Sequence, residues 1–181
     1  MDNKFSNAAS LGYASLFISL WLWFMSYAGW IAAGSTVDLI PAVMFIGAVL
    51  LAIAGFFSFF NGDKIEPVLF FVIAAFIFSF AIRFVMYPNL PANNNPVFTD
   101  GWTHFLTALV VFILWMSSKG SHNYKKFFML CFALAELGGA ISNWTAVSII
   151  TTISGYIGLI AAVFAGLYFY STVSAKGEAS S

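Results

Sequence analysis

The most constraining feature of this chain is a series of six apolar runs, each long enough to cross a lipid bilayer. They cover Leu11 to Ala33, Val37 to Phe60, Pro67 to Tyr87, Thr99 to Met116, Phe127 to Val147 and Ile149 to Val173. About 20 apolar residues in a helix span the ~30 Å hydrocarbon core of a bilayer. With 61% hydrophobic and 8% charged residues, the 181-residue chain cannot surround a soluble core with a solvated surface. We therefore predict an all-α integral membrane protein in which residues 1–181 form a single domain of six transmembrane helices.

The break between the last two runs is the weakest one. Only a few polar residues separate these runs, between Trp144 and Ser148. Either the fifth and sixth helices form a tight hairpin there, or the boundary lies closer to Thr151.

The lysines indicate how the chain is oriented. They fall in the two termini and in the second and fourth loops, at Lys4, Lys64, Lys119, Lys125, Lys126 and Lys176. The first, third and fifth loops contain neither lysine nor arginine. Because loops rich in Lys and Arg stay in the cytoplasm, this distribution predicts that both termini are cytoplasmic, and we expect the protein in the cell (inner) membrane.

Glu136 is the one acidic residue that the sequence places deep inside an apolar span. It shares a small, polar helix face with Gly139, Ala140 and Asn143. It lies ten residues beyond Lys126, which at ~1.5 Å per residue is about 15 Å and places it near the bilayer midplane. A carboxylate there costs about 2.5 to 3.5 kcal/mol on insertion scales, which favours a functional role as a proton carrier or as part of a substrate path.

A structural role for Glu136 is the alternative. A protonated carboxyl could bond a backbone carbonyl or Asn143 and serve only packing or assembly. In either case desolvation favours the neutral form, so the sequence predicts that Glu136 is protonated at rest and gives the protein its pH dependence.

Three polar residues cluster at the predicted outer ends of the third and fourth helices. They are Arg83, Asp100 and His104. Arg83 could pair with Asp38, Asp100 or Glu136 and tie helices together, or it could help to form an outer vestibule that attracts anions.

The sequence predicts no catalytic, cofactor-binding or metal site. His104 and His122 fall on opposite faces of the membrane under the predicted topology, so they cannot share a haem, a metal or an acid–base step. No lysine lies within a span, and the single Cys131 excludes a site built from several thiolates. With a formal net charge of zero and scattered lysines, nucleic acid is not an expected partner.

Small residues recur every three or four positions along the last helix. This row predicts a face that another helix can approach closely, and it consists of Gly155, Gly158, Ala162 and Gly166.

Short motifs also mark the ends of the helices. They are Asn7-Ala8-Ala9-Ser10-Leu11-Gly12-Tyr13 before the first helix, Ala54-Gly55 and Asn61-Gly62 at the end of the second, Lys119-Gly120 after the fourth, and Gly155-Tyr156-Ile157-Gly158-Leu159-Ile160 in the sixth. In this order they resemble the acetate uptake transporter family, of the succinate-acetate permease type. That family has Asn-Pro-Ala-Pro-Leu-Gly-Leu before its first helix and Gly-Trp-Ile-Gly-Leu-Ile in its sixth.

The resemblance implies a six-helix protomer that assembles as a homo-oligomer, a hexamer, with a narrow path for acetate or similar monocarboxylates in each protomer. The family closes this path midway with a Phe, a Tyr and a Leu. Those positions correspond here to Leu16 or Phe17, to Ile73 and to Cys131, and a polar Gln of the second helix corresponds to Leu51. The candidate path therefore comprises Glu136, Asn143, Phe17, Ile73 and Cys131.

Two functions remain open at this point. The chain is a channel or a proton-linked carrier for acetate-like monocarboxylates, or it is a non-transporting structural or accessory subunit of a larger membrane protein complex. The replaced constriction residues favour the second function. The lipid bilayer is a partner in both, and other membrane subunits are partners in the second.

The predicted orientation can be tested with one thiol. Asn123→Cys places a cysteine in the fourth loop, and we expect a membrane-impermeant thiol reagent added to intact cells not to label it, because that loop is cytoplasmic. The unaltered chain, with Cys131 alone, is the control. Labelling of the variant from outside would contradict the orientation.

Overall fold

The structure is a computed structural model that describes residues 7–31, 39–86 and 96–179, with side chains described for 7–31, 41–82 and 99–174. Its six α-helices follow the six apolar runs. They are α1 (Ala8–Tyr27), α2 (Leu39–Phe60), α3 (Glu66–Met86), α4 (Pro96–Ser117), α5 (Asn123–Thr145) and α6 (Ser148–Ala179).

The helices form a ring in chain order. Each helix packs against the next one along the chain, and α6 closes the ring against α1. The contact between α3 and α4 is much the slightest of the six. Because consecutive helices run in opposite directions, α1 begins and α6 ends at the same end of the ring, which we name the terminal end; the opposite end is the far end.

The outside of the ring is apolar. Among the described residues, α1, α2, α4, α5 and α6 are long and apolar enough to cross a membrane, and α3 contributes a shorter apolar stretch, Glu66–Ile82. Phe60, Leu106 and Ile149 are more than half exposed on this surface. Exposed aromatic and aliphatic side chains on every helix suit contact with lipid, so the chain is an integral, multi-pass membrane protein.

α1 ends six residues earlier than the apolar pattern predicted. The backbone N–H of Trp30 donates to the carbonyl of Met25 (3.0 Å), and Gly29 has a φ of +77°. This is the Schellman arrangement, in which a glycine in the left-handed conformation closes a helix. The predicted end at Ala33 was therefore wrong, although Gly29 was a signal for the true one.

The last two helices form the tight hairpin, and the alternative boundary near Thr151 was wrong. Only Ala146 and Val147 separate α5 from α6, and Ala146 has a φ of +56°. The hydroxyls of Ser142 and Thr151 hydrogen-bond to each other across the hairpin.

The row of small residues on α6 packs against α1 of the same chain. A Cβ at Gly155 would overlap the backbone nitrogen of Ala28, and one at Gly158 would overlap the ring of Phe24. Gly166 is less tightly covered, with its nearest neighbour in the ring of Phe17, and Ala162 is fully buried. This row therefore closes the ring by letting α1 and α6 approach closely.

Gly155→Ala tests this closure. The added methyl would overlap the α1 backbone, and no side-chain rotation can relieve this overlap. We therefore expect the free energy of unfolding to fall by about 1–3 kcal/mol. Gly166→Ala is the matched control, because its methyl would meet only the side chain of Phe17, at 3.1 Å. Unfolding of the purified protein in mild detergent measures both. Equal stabilities for the two variants would contradict this account of the α1–α6 contact.

Candidate functional site

An ion pair crosses the ring at its terminal end. The Nζ of Lys125 donates to the Oε1 of Glu66 at 3.0 Å, and the two side chains are 10% and 7% exposed. Glu66 begins α3 and Lys125 lies in the first turn of α5, two helices that are not neighbours in the ring. The pair therefore lies across the axis of the bundle rather than between adjacent helices.

A buried tyrosine lies just inside this pair. The ring of Tyr13 on α1 packs edge-on against Phe70 (5.3 Å), Phe128 (5.9 Å) and Tyr168 (4.5 Å). Tyr13 is fully buried, and its hydroxyl has no hydrogen-bond partner among the described residues. Phe70 and Phe128 follow Glu66 and Lys125 by about one helical turn, which places the Tyr13 ring one turn deeper than the ion pair.

An apolar constriction fills the middle of the ring. Leu16, Ile73 and Phe132 are each 0% exposed and lie seven to nine residues into α1, α3 and α5. All three helices begin at the terminal end, so these side chains lie at a similar depth, about 10–14 Å from it. All three residues belong to the buried apolar core of the ring.

Two of the predicted path residues are less buried than their neighbours in the chain. Phe17 and Cys131 are only half-buried and lie at the edge of the core, and Phe17 contacts Gly166 on α6. Their neighbours Leu16 and Phe132 are fully buried, and so is Ile73. The transport path through these positions stays a prediction.

A chain of three polar side chains crosses the ring nearer its far end. The Nδ1 of His104 on α4 lies 2.6 Å from the Oε2 of Glu136 on α5, and its Nε2 lies 3.1 Å from the hydroxyl of Tyr27 on α1. His104 is 1% and Glu136 0% exposed. α1 and α4 are not neighbours, so the bond between Tyr27 and His104 spans the interior.

Aromatic rings enclose the imidazole of His104. Phe76 and Phe80 of α3 lie 5.2 and 5.3 Å from it, between ring centroids. On the α5 side, a Cβ at Gly139 would lie 3.0 Å from Nδ1, so glycine lets the imidazole lie close to the helix backbone. His104 of α4 thus contacts aromatic rings of α3, although the two helix backbones have little direct contact.

His104 and Glu136 therefore form one buried pair, whereas the sequence patterns predicted two separate groups. His104 was assigned to an outer vestibule, but it is fully buried, and Glu136 is not the lone carboxyl that the helix pattern predicted. The amide of Asn143 bonds the carbonyl of Gly139 on its own helix (2.9 Å), not Glu136. Asp100 lies half-buried one turn before His104, while Asp38 and the side chain of Arg83 lie outside the described residues.

Removing one member of the Glu66–Lys125 pair should destabilise the folded protein. Lys125→Met leaves a carboxylate buried without its cation, and we expect the free energy of unfolding in mild detergent to fall by about 3 kcal/mol. The double variant Glu66→Gln, Lys125→Met should recover most of this loss, because no charge is then left unpaired.

The matched control is Lys126→Met, since Lys126 is the half-buried next residue on the same helix. A double variant as unstable as Lys125→Met would show that the pair does not act as a unit.

No protein-family model matches the chain, and no curated protein matches it. Among solved structures, the chain is similar to one described as the structure of the bacterial acetate channel SatP, with a TM-score of 0.86. The alignment covers 94% of this chain and 93% of that chain, at 18% sequence identity. The short sequence motifs predicted this architecture, and the comparison confirms it. This chain has the fold of the bacterial acetate channel SatP.

Proposed function

We propose that this protein is a membrane channel for small monocarboxylates of the acetate type. The observation that carries the proposal is a fold shared over nearly the whole length of both chains with a bacterial acetate channel. The internal arrangement of polar ends and an apolar middle supports it, because such an arrangement admits a small solute at either end and restricts what can pass between.

The proposed path follows the axis of the ring. It leads from the Glu66–Lys125 pair, past the constriction of Leu16, Ile73 and Phe132, to the bond between Tyr27 and His104. Apolar side chains offer no donors to replace the hydration of a carboxylate, so a charged or large solute meets a high barrier there. A small acid with few hydrogen bonds to lose is the solute that this barrier disfavours least.

We propose further that each protomer has its own path and that the protomers form a homo-oligomer with cytoplasmic termini. Two polar contacts, Glu66–Lys125 and Tyr27–His104, cross the axis of a single ring, which supports a path inside the protomer. A hexamer is the oligomer that the family resemblance implies, and the lysine distribution supports the orientation.

Purified protein in liposomes tests the proposal directly. Labelled acetate should enter faster than it enters protein-free liposomes, which account for permeation of acetic acid through the lipid. Uptake equal to that of empty liposomes over the accessible pH range would rule out the channel.

Widening the constriction should speed transport. Ile73→Ala removes three carbons from a fully buried site, so we expect protein-dependent acetate uptake to rise several-fold. This corresponds to a decrease of the barrier by on the order of 1 kcal/mol. Ile153→Ala is the matched control, because Ile153 is 52% exposed on the outside of α6. Unchanged uptake by a stably folded Ile73→Ala variant would place the path elsewhere.

A second function has one observation in its favour. Leu16, Ile73 and Phe132 are completely buried, as apolar side chains in the core of a non-transporting subunit would be. Purification in mild detergent separates the two functions: stoichiometric foreign subunits would support an accessory role, and a homogeneous homo-oligomer would count against it.

A further inference from the structure

We propose that the outer face of α4 and α5 binds an anionic phospholipid, with the lipid phosphate beside Lys119 and Lys126 and an acyl chain along the groove between the two helices. The proposal does not depend on the channel function. It is carried by two adjoining features of the same helix pair: a basic recess at the terminal end, and an apolar groove that continues from it towards the middle of the ring.

The basic recess lies where α4 ends and α5 begins. It is lined by Trp115, Met116, Lys119 and Lys126, and its volume is about 370 Å³. Lys119 is exposed in the turn that follows α4, and Lys126 is half-buried in the first turn of α5. Tryptophan and lysine at the end of a transmembrane helix are typical of the level at which lipid headgroups lie. Two positive charges therefore share one recess at that level.

No acidic side chain neutralises this recess within the part of the chain that the structure describes. There, neither Lys119 nor Lys126 forms an ion pair, whereas the neighbouring Lys125 is bonded to Glu66. Basic recesses between transmembrane helices are suited to anionic lipid headgroups, and lysine is a common ligand of phosphate. The charge of the recess thus favours an anion as its ligand.

An apolar groove between α4 and α5 lies next to the basic recess. Ala108 and Ala133, one from each helix, are 5% and 4% exposed and form its floor. Longer side chains form its walls, among them Leu109, Phe112 and Leu134, which are 38–47% exposed on the outside of the ring. Every residue that lines the groove is apolar, so it suits a hydrocarbon chain.

The recess and the groove lie on the same face of each helix. On α4, Ala108, Phe112 and Trp115 follow one another in steps of four and three residues, and the rings of Phe112 and Trp115 are 5.2 Å apart between centroids. On α5, Lys126 and Ala133 are seven residues apart, which is about two helical turns. Residues at these spacings share one face of a helix. The two features therefore form one continuous surface along the α4–α5 pair.

The length of this surface matches one leaflet of a bilayer. Leu137 is the lining residue of α5 farthest from the terminal end, and it lies eleven residues beyond Lys126. At ~1.5 Å per residue this is about 16 Å, close to half of the ~30 Å hydrocarbon core. A lipid whose phosphate lies in the recess therefore has its acyl chain along the groove down to the middle of the bilayer.

A lipid fits this face better than a second copy of the chain does. A second copy needs an acidic side chain opposite the two lysines, and the acids whose side chains are described at the terminal end are Asp63 and Glu66. Glu66 is buried against Lys125, and Asp63 precedes Lys64 in the chain. An anionic phospholipid brings a negative charge and an apolar chain together, so it matches both parts of the surface.

The experiment measures how strongly two lipids with the same acyl chains stabilise the purified full chain in mild detergent. Phosphatidylglycerol carries a net negative charge, and phosphatidylcholine is neutral overall. A lipid that binds the folded protein raises its unfolding temperature. We expect phosphatidylglycerol to stabilise the unaltered protein at a concentration about 30-fold lower than phosphatidylcholine does, the combined effect of two lysines near an anionic headgroup.

Replacing both lysines should remove this preference. In the double variant Lys119→Gln, Lys126→Gln, the two lipids should stabilise the protein at similar concentrations. Lys64→Gln is the matched control and should keep the preference, because Lys64 is an exposed lysine at the same end of the ring but does not line the recess. A double variant with the unaltered preference for phosphatidylglycerol would overturn the site.

Two further probes test the acyl chain. Inorganic phosphate, and phosphatidylglycerol with short acyl chains, should stabilise the unaltered protein much less than the long-chain lipid, because neither fills the groove. Inorganic phosphate that stabilises the protein equally well would make the ligand a soluble anion and overturn the lipid site.

The remaining outcomes also decide. Equal effects of the two long-chain lipids on the unaltered protein would overturn the proposal even if the double variant does not fold. If the oligomer dissociates in the double variant and the unaltered protein shows no lipid preference, this face binds a second copy of the chain instead.

Discussion

A polar side chain inside a ring of apolar helices must find its partner inside that ring, because lipid offers none. This constraint explains why two groups of buried polar side chains are bonded across the bundle axis. Lys125 reaches Glu66 between α5 and α3, and His104 joins Glu136 on α5 to Tyr27 on α1. Each bond requires that its polar groups lose their hydration, which costs free energy. The attraction between the groups offsets this cost only when the helices hold them in good geometry.

The same bonds determine where the helices can be. α3 and α4 have little direct contact, yet His104 of α4 lies between Phe76 and Phe80 of α3 and is bonded to helices on two further sides. On the opposite side of the ring, glycines bring α6 against the backbone of α1, and the hydroxyls of Ser10 and Thr172 hydrogen-bond between the two helices. The ring is thus closed by small residues on one side and by a buried polar group with its aromatic neighbours on the other. Between the two polar levels lie the fully buried apolar side chains of Leu16, Ile73 and Phe132.

Much of this fold could be predicted from the sequence, since bilayer thickness fixes the length of each apolar run. The six helices and the α5–α6 hairpin were found in this way, whereas the end of α1 required attention to Gly29. The fully buried residues lie at or next to the predicted positions: Leu16 was one of two alternatives, and Phe132 follows the predicted Cys131. A shift of one position turns a side chain by about 100° around its helix, and short motifs do not fix that angle. Glu136 was found as an isolated acid in an apolar span, but its partner was not, because each helix was interpreted alone.

A signal for that partner was nevertheless present. His104 and Glu136 each lie 16 residues from Gly120, so an antiparallel pairing of α4 and α5 about this turn sets them opposite each other. Tyr27 could not have been found in this way, because it comes from a helix that is distant in sequence and not adjacent in the ring.

The central proposal is that a small monocarboxylate crosses this protein along the axis of its own ring of helices. The most direct test is to measure the entry of labelled acetate into liposomes that contain the purified protein and into protein-free liposomes. We predict that acetate enters the protein-containing liposomes faster. Equal entry into both kinds of liposome would contradict the account.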